Sequence, residues 1–395
     1  MAVKIINEIP IAGKRVFIRV DFNVPLDKKT KKVTDDTRIR EALPTIKYAL
    51  EQKAKVILAS HLGRPKGKRD PQYSLLPVAE RLRDLLERDV LFPEDCIGDG
   101  VRKNVMDLPE GGLILLENLR FHQEEEDNDP AFAEKLAALC NVYINDAFGT
   151  AHRAHASTEG ITHHVPDKGA GFLMEKELKF LGQLVANPER PFIAILGGAK
   201  VSDKIAVIEN LAKKVDRLLI CGAMAYTFLR ALKMPTGKSL VEDDKIKTAE
   251  KLLDKAKTFN VPVELPQDHV VAAELAVGQA TTVVAQNKIP ELQMALDIGP
   301  KTIEKFVEII KTAKTIFWNG PAGAFETPPF DLGTMAIARA VADSGALTVI
   351  GGGDSVAAVN KAGVAAKITH ISTGGGASLE FMEGKVLPGV AALES

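Results

Sequence analysis

The sequence predicts an α/β protein of two domains, each built on a parallel β-sheet with helices on both faces. Three observations carry this reading. At 395 residues the chain is too long for one ordinary hydrophobic core. Short β-branched runs alternate with longer helical patterns, which is the signature of βαβ units. The residues that follow those runs also differ between the halves: arginine and histidine in the first, glycine clusters in the second.

In the first half, Val16–Val20, Val56–Ala59, Leu113–Leu116 and Val142–Ile144 read as buried strands, being continuous apolar runs of strand length. Helical patterns lie between them at Ile39–Gln52 and Leu76–Glu87. The second half repeats the rhythm, with strands at Phe192–Leu196, Arg217–Cys221, Thr315–Trp318 and Leu347–Ile350. Its helices are expected near Val201–Lys214, Lys245–Phe259 and Lys301–Lys311. Between the halves, Gly169-Ala170-Gly171 precedes a stripe of Met174, Leu178, Leu181 and Val185, and Asn187-Pro188-Glu189-Arg190-Pro191 ends it. That segment is either a connector between domains or the last helix of the first. In parallel sheets, ligands bind beyond the carboxyl ends of the strands, where the unusual residues fall.

Composition narrows the function. The chain is 46% hydrophobic and 26% charged, as in a soluble globular protein. A formal net charge of -1 argues against a general nucleic-acid binder, which needs a basic surplus. No run reaches the roughly 18 apolar residues of a membrane helix. The N-terminal Met-Ala-Val-Lys-Ile-Ile-Asn-Glu has no long apolar segment, so no signal peptide is expected. Cys96, Cys140 and Cys221 are far apart and odd in number, and they read as reduced thiols of a cytoplasmic protein.

The first half carries the elements of an anion site. Arg19-Val20-Asp21-Phe22-Asn23-Val24-Pro25 takes an apolar strand into polar residues and a proline. Asp21 and Asn23 are poor strand formers, so they serve either a ligand or a turn. Ser60-His61-Leu62-Gly63-Arg64-Pro65 follows the next strand and projects a histidine and an arginine from one short loop. Leu119-Arg120-Phe121 and Thr150-Ala151-His152-Arg153-Ala154-His155 add cations after later strands. A single such arginine is ordinarily a surface salt bridge. Arg19, Arg64, Arg120 and Arg153 together suggest a shared site for a small, highly charged anion. His152 with His155, or His163 with His164, lacks the partners of a metal site.

The second half has the elements of a nucleotide site. Leu196-Gly197-Gly198-Ala199-Lys200-Val201-Ser202-Asp203-Lys204 joins a strand to a helix. Lys200 and Lys204 near a helix N-terminus oppose its dipole, at about 0.3–1 kcal/mol each, unless a phosphate lies there. Otherwise they are solvated, with Asp203 as a partner. Trp318-Asn319-Gly320-Pro321-Ala322-Gly323-Ala324-Phe325-Glu326 can form a flat wall for a base, with Glu326 for ribose hydroxyls. Gly351-Gly352-Gly353-Asp354-Ser355 opens a helix whose N–H groups can hold phosphate, and Asp354 can hold magnesium. Thr373-Gly374-Gly375-Gly376-Ala377-Ser378 is a second such loop. The commoner nucleotide motifs are absent. Gly237-Lys238-Ser239 would need glycine at 232, which is leucine, and positions 356 and 379 are valine and leucine where G-x-G-x-x-G needs glycine.

With these segments in place, the chain resembles the phosphoglycerate kinase family nearly end to end. The resemblance also rests on Glu117-Asn118-Leu119-Arg120-Phe121, Asn145-Asp146-Ala147-Phe148-Gly149 and Ser372-Thr373-Gly374-Gly375-Gly376-Ala377-Ser378. It implies two Rossmann-like lobes, each a parallel sheet flanked by helices, joined by an interdomain helix and hinge. Residues 1–172, joined by a C-terminal tail 379–395, would bind 3-phosphoglycerate, and 173–378 would supply the interdomain helix and the nucleotide-binding domain. It further implies a cytoplasmic, monomeric enzyme of glycolysis with Mg2+ as cofactor and ATP/ADP as co-substrate. Its partners would be small molecules, with no nucleic acid and no membrane.

Residue by residue, the resemblance assigns Asp21, Asn23, Arg38, His61, Leu62, Gly63, Arg64, Arg120 and Arg153 to 3-phosphoglycerate. Arg38, Lys200, Gly352 and Gly375 form its catalytic set. The nucleotide set is Gly197, Lys200, Lys204, Gly222, Gly299, Asn319, Gly320, Pro321, Glu326, Gly352, Gly353, Asp354 and Ser355, with Asp354 on magnesium. Ala223 stands where a second glycine is common in the family. The chemistry implied is phosphoryl transfer between an acyl phosphate and ADP, which needs positioning and cations rather than a protein nucleophile. The competing readings are an inactive binding protein on the same fold, and a different enzyme such as a dehydrogenase or another small-molecule kinase.

Overall fold

The structure, a computed structural model, describes residues 3–394. The chain divides into two compact units, one comprising the residues up to Lys179 and those from Val386 on, the other Phe180–Lys385.

The first unit is built on β1 (Arg15–Val20), β2 (Lys55–Ala59), β3 (Leu113–Leu115), β4 (Val142–Asp146) and β5 (Asp167–Ala170). They pair in parallel in the order β3-β2-β1-β4-β5. The apolar runs of β1, β2 and β4 are buried on both faces, as a helix-covered parallel sheet requires. By contrast β5 is Asp-Lys-Gly-Ala, with no apolar run to announce it. Pairing with β4 makes it a strand. The helix Thr37–Glu51 buries Ile39, Ala42, Ile46, Ala49 and Leu50 against this core. It begins two residues before the expected Ile39. Asp35 supplies its cap-like contacts, accepting from Thr37 N at 2.9 Å and Thr37 Oγ1 at 2.6 Å.

The second unit holds β6 (Phe192–Leu196), β7 (Arg217–Ile220), β8 (Val263–Glu264), β12 (Thr315–Asn319), β13 (Leu347–Gly351) and β14 (His370–Ile371) in one parallel sheet, ordered β14-β13-β12-β6-β7-β8. A further sheet, antiparallel and absent from the sequence reading, is formed by β9 (Asp268–Ala272), β10 (Thr282–Ala285) and β11 (Met294–Ile298) in the order β10-β9-β11. One helix is shorter than expected: it runs Ile205–Leu211 rather than Val201–Lys214. Lys204 has φ -130°, outside helical space, and its N–H closes a turn onto Val201 O at 2.9 Å.

Both parallel sheets reverse direction of winding next to their first strand, between β1 and β4 in one unit and between β6 and β12 in the other. Such a switch point opens a crevice at the carboxyl ends of the strands, the usual ligand position of the fold.

The helix expected as a connector spans Phe172–Ala186. The division falls inside it, after Lys179, and again after Lys385, against the expected boundaries at 172 and 378. Its first turn is held by Asp146 Oδ1, which accepts from Leu173 N at 2.9 Å and Met174 N at 3.1 Å. Its other end is held by Lys214 Nζ, which donates to Val185 O at 2.7 Å. The final residues join the first unit through Gly389, whose N–H donates to Ala151 O at 2.8 Å and whose carbonyl accepts from Asn145 Nδ2 at 3.2 Å. No helix among the described residues is long and apolar enough to cross a membrane. The three cysteines are all free and buried.

Candidate functional site

In the first unit, the loops after β1, β2 and β3 converge. Asp21 Oδ2 accepts from Arg38 Nη1 at 2.8 Å, and Asp21 Oδ1 lies 3.9 Å from His61 Nδ1. Asn23 Oδ1 accepts from Gly63 N at 2.9 Å, while Arg120 Nη1 donates to Gly63 O at 2.9 Å. Gly63 has φ +63°, and a Cβ there would strike the Tyr73 ring, so the loop depends on glycine. Asn118 Nδ2 fastens the same loop through Leu62 O at 2.7 Å and Tyr73 O at 2.9 Å. With Asn118, whose Oδ1 accepts from Arg120 N, the residues Asp21, Asn23, Arg38, Leu62, Gly63 and Arg120 thus form one hydrogen-bonded set, and His61 lies beside it. Arg64 stands exposed at its edge. Arg153 follows β4 and donates from Nε to His152 Nε2 at 3.2 Å.

Arg19 has a different role from the one its strand-end position suggested. It is wholly buried. It donates to Ser157 Oγ at 2.8 Å and to the Val20 carbonyl, and its Nη2 lies 3.3 Å from His61 Nδ1. It is a pillar beneath the site. Beside it the buried Glu125 accepts from Ser157 N at 2.9 Å and Ser157 Oγ at 2.5 Å.

Burial and clustered arginines together disfavour added positive charge here. Burial, followed by Arg19, Arg120 and Arg38, holds His61 well below its ordinary pKa. Burial and then Arg120, Arg19 and Arg153 push His155 down to about 3. Burial also lowers the pKa of Arg120. Its Nε lies 3.3 Å from Glu126 Oε1, yet its buried Nη2 has no hydrogen-bond partner among the described residues. A buried, unsatisfied guanidinium N–H is costly, and an anion is what would satisfy it.

In the second unit, the loops after β6, β7 and β12 touch backbone to backbone. Gly198 N donates to Pro321 O, Gly222 N to Ala322 O and Met224 N to Gly198 O, each at 3.0 Å. A Cβ on Gly197 would strike the Pro321 carbonyl, and one on Gly222 the backbone of Gly198. Gly320 is likewise against the Gly197 carbonyl. These contacts explain the glycines directly: side chains would drive the loops apart. Above them opens a cavity of about 460 Å³, lined by Gly198, Gly222, Leu296, Pro321, Glu326 and Asp354 among others. Its size suits a nucleoside-sized ligand.

Lys204 and Lys200 face different surroundings. Lys204 is buried with its Nζ on Asn319 Oδ1, and burial lowers its pKa. Lys200 is exposed. Asn319 Nδ2 donates to Gly351 O at 2.8 Å, and Ser355 Oγ accepts from Gly320 N at 2.6 Å. These bonds fasten the β12 loop to the helix Gly353–Lys361. Gly352, at φ +90°, caps that helix, and the exposed Asp354 is the acid of its first turn. Gly375, at φ +53°, caps the helix Gly376–Met382 in the same way. Gly299 caps the helix Pro300–Lys311 and packs against the Asp268 carboxylate.

The apolar wall was missed from the sequence. Met294 and Leu296 come from β11, and Leu240 and Leu275 from loops. An isolated leucine in a loop carries no sequence signal. The run Met294-Ala295-Leu296 could have suggested a strand.

The chain matches a family model described as phosphoglycerate kinase over residues 6–385. It is 58% identical over 396 residues to the phosphoglycerate kinase of Anaeromyxobacter sp. (strain Fw109-5), covering 100% of each chain. To that of Acidobacterium capsulatum it is 61% identical, covering 98% of each. Among solved structures, phosphoglycerate kinase from Coxiella burnetii superposes with a TM-score of 0.91 at 40% identity over 99% of each chain. The enzyme from Pyrococcus horikoshii gives 0.85 at 34% identity over 98% of each.

Proposed function

The chain belongs to the phosphoglycerate kinase family and is a phosphotransferase of glycolysis, and from this premise we propose how its own residues divide the work. Its substrates are 3-phosphoglycerate and ATP, or 1,3-bisphosphoglycerate and ADP in the reverse direction. The first unit holds the phosphoglycerate through Asp21, Asn23, His61, Arg64, Arg120 and Arg153. The observation that carries this half is the buried Arg120 Nη2, an N–H donor with no acceptor among the described residues. The second unit holds the nucleotide, with phosphates at Lys204 and the Gly352–Ser355 turn, ribose at Glu326, and the ring system against Pro321 and Leu296.

Transfer is an in-line displacement. A carboxylate oxygen of 3-phosphoglycerate bonds to the γ-phosphorus as the bond to the β,γ-bridging oxygen breaks, and ADP leaves with that electron pair. The carboxylate is already an anion, so no general base is needed. Arg38 and Lys200 meet the charge spread over the equatorial oxygens. Asp354 fits Mg2+, being an exposed hard oxygen donor at the edge of the cavity beside the phosphate-binding turn. Bound there, the ion neutralises phosphate charge. We take the enzyme to be a cytoplasmic monomer. A molar mass by light scattering of twice the chain's would overturn that.

The test is a spectrophotometric assay in which 3-phosphoglycerate and ATP turnover is coupled to NADH oxidation. The expected result is oxidation that requires both substrates. Binding without turnover would leave an inactive protein on the same fold.

A further inference from the structure

We propose that Lys361 is a positioning residue that holds Glu326 in register with the phosphate-binding end of its own helix. The inference rests on the reading of Glu326 as the ribose ligand.

The helix Gly353–Lys361 is tied to the loop that follows β12 at both of its ends. At its start, Ser355 Oγ accepts from Gly320 N at 2.6 Å. At its last residue, Lys361 Nζ donates to Phe325 O at 2.7 Å and lies 3.0 Å from Asp331 Oδ2. The same ammonium stands 5.9 Å from the centroid of the Phe325 ring. Phe325 is buried in the core of the unit, whereas Glu326 is exposed and lines the cavity. No hydrogen bond or ion pair within the described chain holds the Glu326 side chain. The backbone fixes the Cα–Cβ direction from which that side chain reaches into the cavity, and the Phe325 carbonyl that Lys361 grips belongs to the peptide unit joining Phe325 to Glu326. Asp354 lies at the other end of the same helix and lines the same cavity. Lys361 thus makes the helix a rigid spacer between the group that reads the ribose and the turn that holds the phosphates. Surface ion pairs contribute little to stability, so a role in aiming Glu326 is separable from a role in folding.

The test compares ATP with 2′,3′-dideoxy-ATP, which lacks both ribose hydroxyls. In the parent enzyme, the ratio of the two KM values reports recognition of the hydroxyls. Lys361→Met should lower that ratio by about fivefold, the worth of one net hydrogen bond. The KM for 3-phosphoglycerate should stay put, and Lys361→Arg should keep the ratio near that of the parent. Glu326→Ala should collapse the ratio, and adding Lys361→Met to it should change nothing further. A Glu326→Ala enzyme with the parent ratio would sink the ribose reading itself. A collapsed ratio in Glu326→Ala with an unchanged one in Lys361→Met would sink the proposal for Lys361 alone. Should Lys361→Met fail to fold, Lys361→Ala carries the test: alanine keeps the helix and removes the donor to the Phe325 carbonyl, a lowered ratio is expected, and an unchanged one overturns the proposal.

Discussion

Arg38 Nη1 lies 2.8 Å from Asp21 Oδ2, so the guanidinium proposed to meet the transferring phosphoryl group is already aimed by a carboxylate proposed to hold its acceptor. The arginine side chain is 36% exposed against 14% for the aspartate, which leaves donors of the arginine free for an incoming anion.

Arg38→Ala should therefore lower kcat by about 10²–10³, the range found when one oriented donor to a developing charge is removed. Nucleotide affinity should stay nearly constant. Steady-state kinetics checks this, and a near-normal kcat would reduce Arg38 to a partner of Asp21.

Asp354→Asn should raise the magnesium concentration needed for half-maximal activity while the KM for 3-phosphoglycerate stays constant. The carboxylate is the acid of its helix's first turn, and the amide keeps the shape but loses the charge that a hard cation needs. An unchanged magnesium titration would move the metal to another residue.

His155 gives a pH prediction whose sign follows from its environment. Its folded pKa is about 3, pushed down by burial and by Arg120, Arg19 and Arg153, against an ordinary 6.5. Between those values the unfolded chain carries a proton that the folded one does not, so stability rises with pH. This contribution is fully present above pH 6.5 and is lost progressively as pH falls toward 3. His155→Asn should make the slope of stability against pH shallower by about one proton in that window. Urea unfolding at a series of pH values measures it, and an identical slope in both proteins would refute the assignment.

Residues proposed for the two substrates belong to different compact units. Direct transfer requires reacting atoms about 3–3.5 Å apart, so both substrates together should favour the most compact form. Small-angle scattering should give the smallest radius of gyration with 3-phosphoglycerate and a non-hydrolysable Mg-ATP analogue both present. One radius for the apo, singly bound and doubly bound samples would remove the hinge.

The sequence by itself determined what local chemistry can encode. β1, β2, β6 and β12 are apolar runs because a sheet covered on both faces must bury both sides of each strand. Gly63, Gly222 and Gly320 were visible as glycines because no other residue fits where their backbones pass. Tertiary structure decided the rest. β5 is a strand only because β4 lies beside it, and Arg19 is a pillar only because Ser157 and His61 meet it in the interior. Leu240, Leu275 and Leu296 became one wall of a cavity through the folding of distant segments onto each other. Lys361 looked like any lysine ending a helix until the fold laid the Phe325 carbonyl against it. Periodicity and backbone sterics act between neighbours in sequence, whereas burial, charge pairing and cavity shape depend on which remote residues share a place.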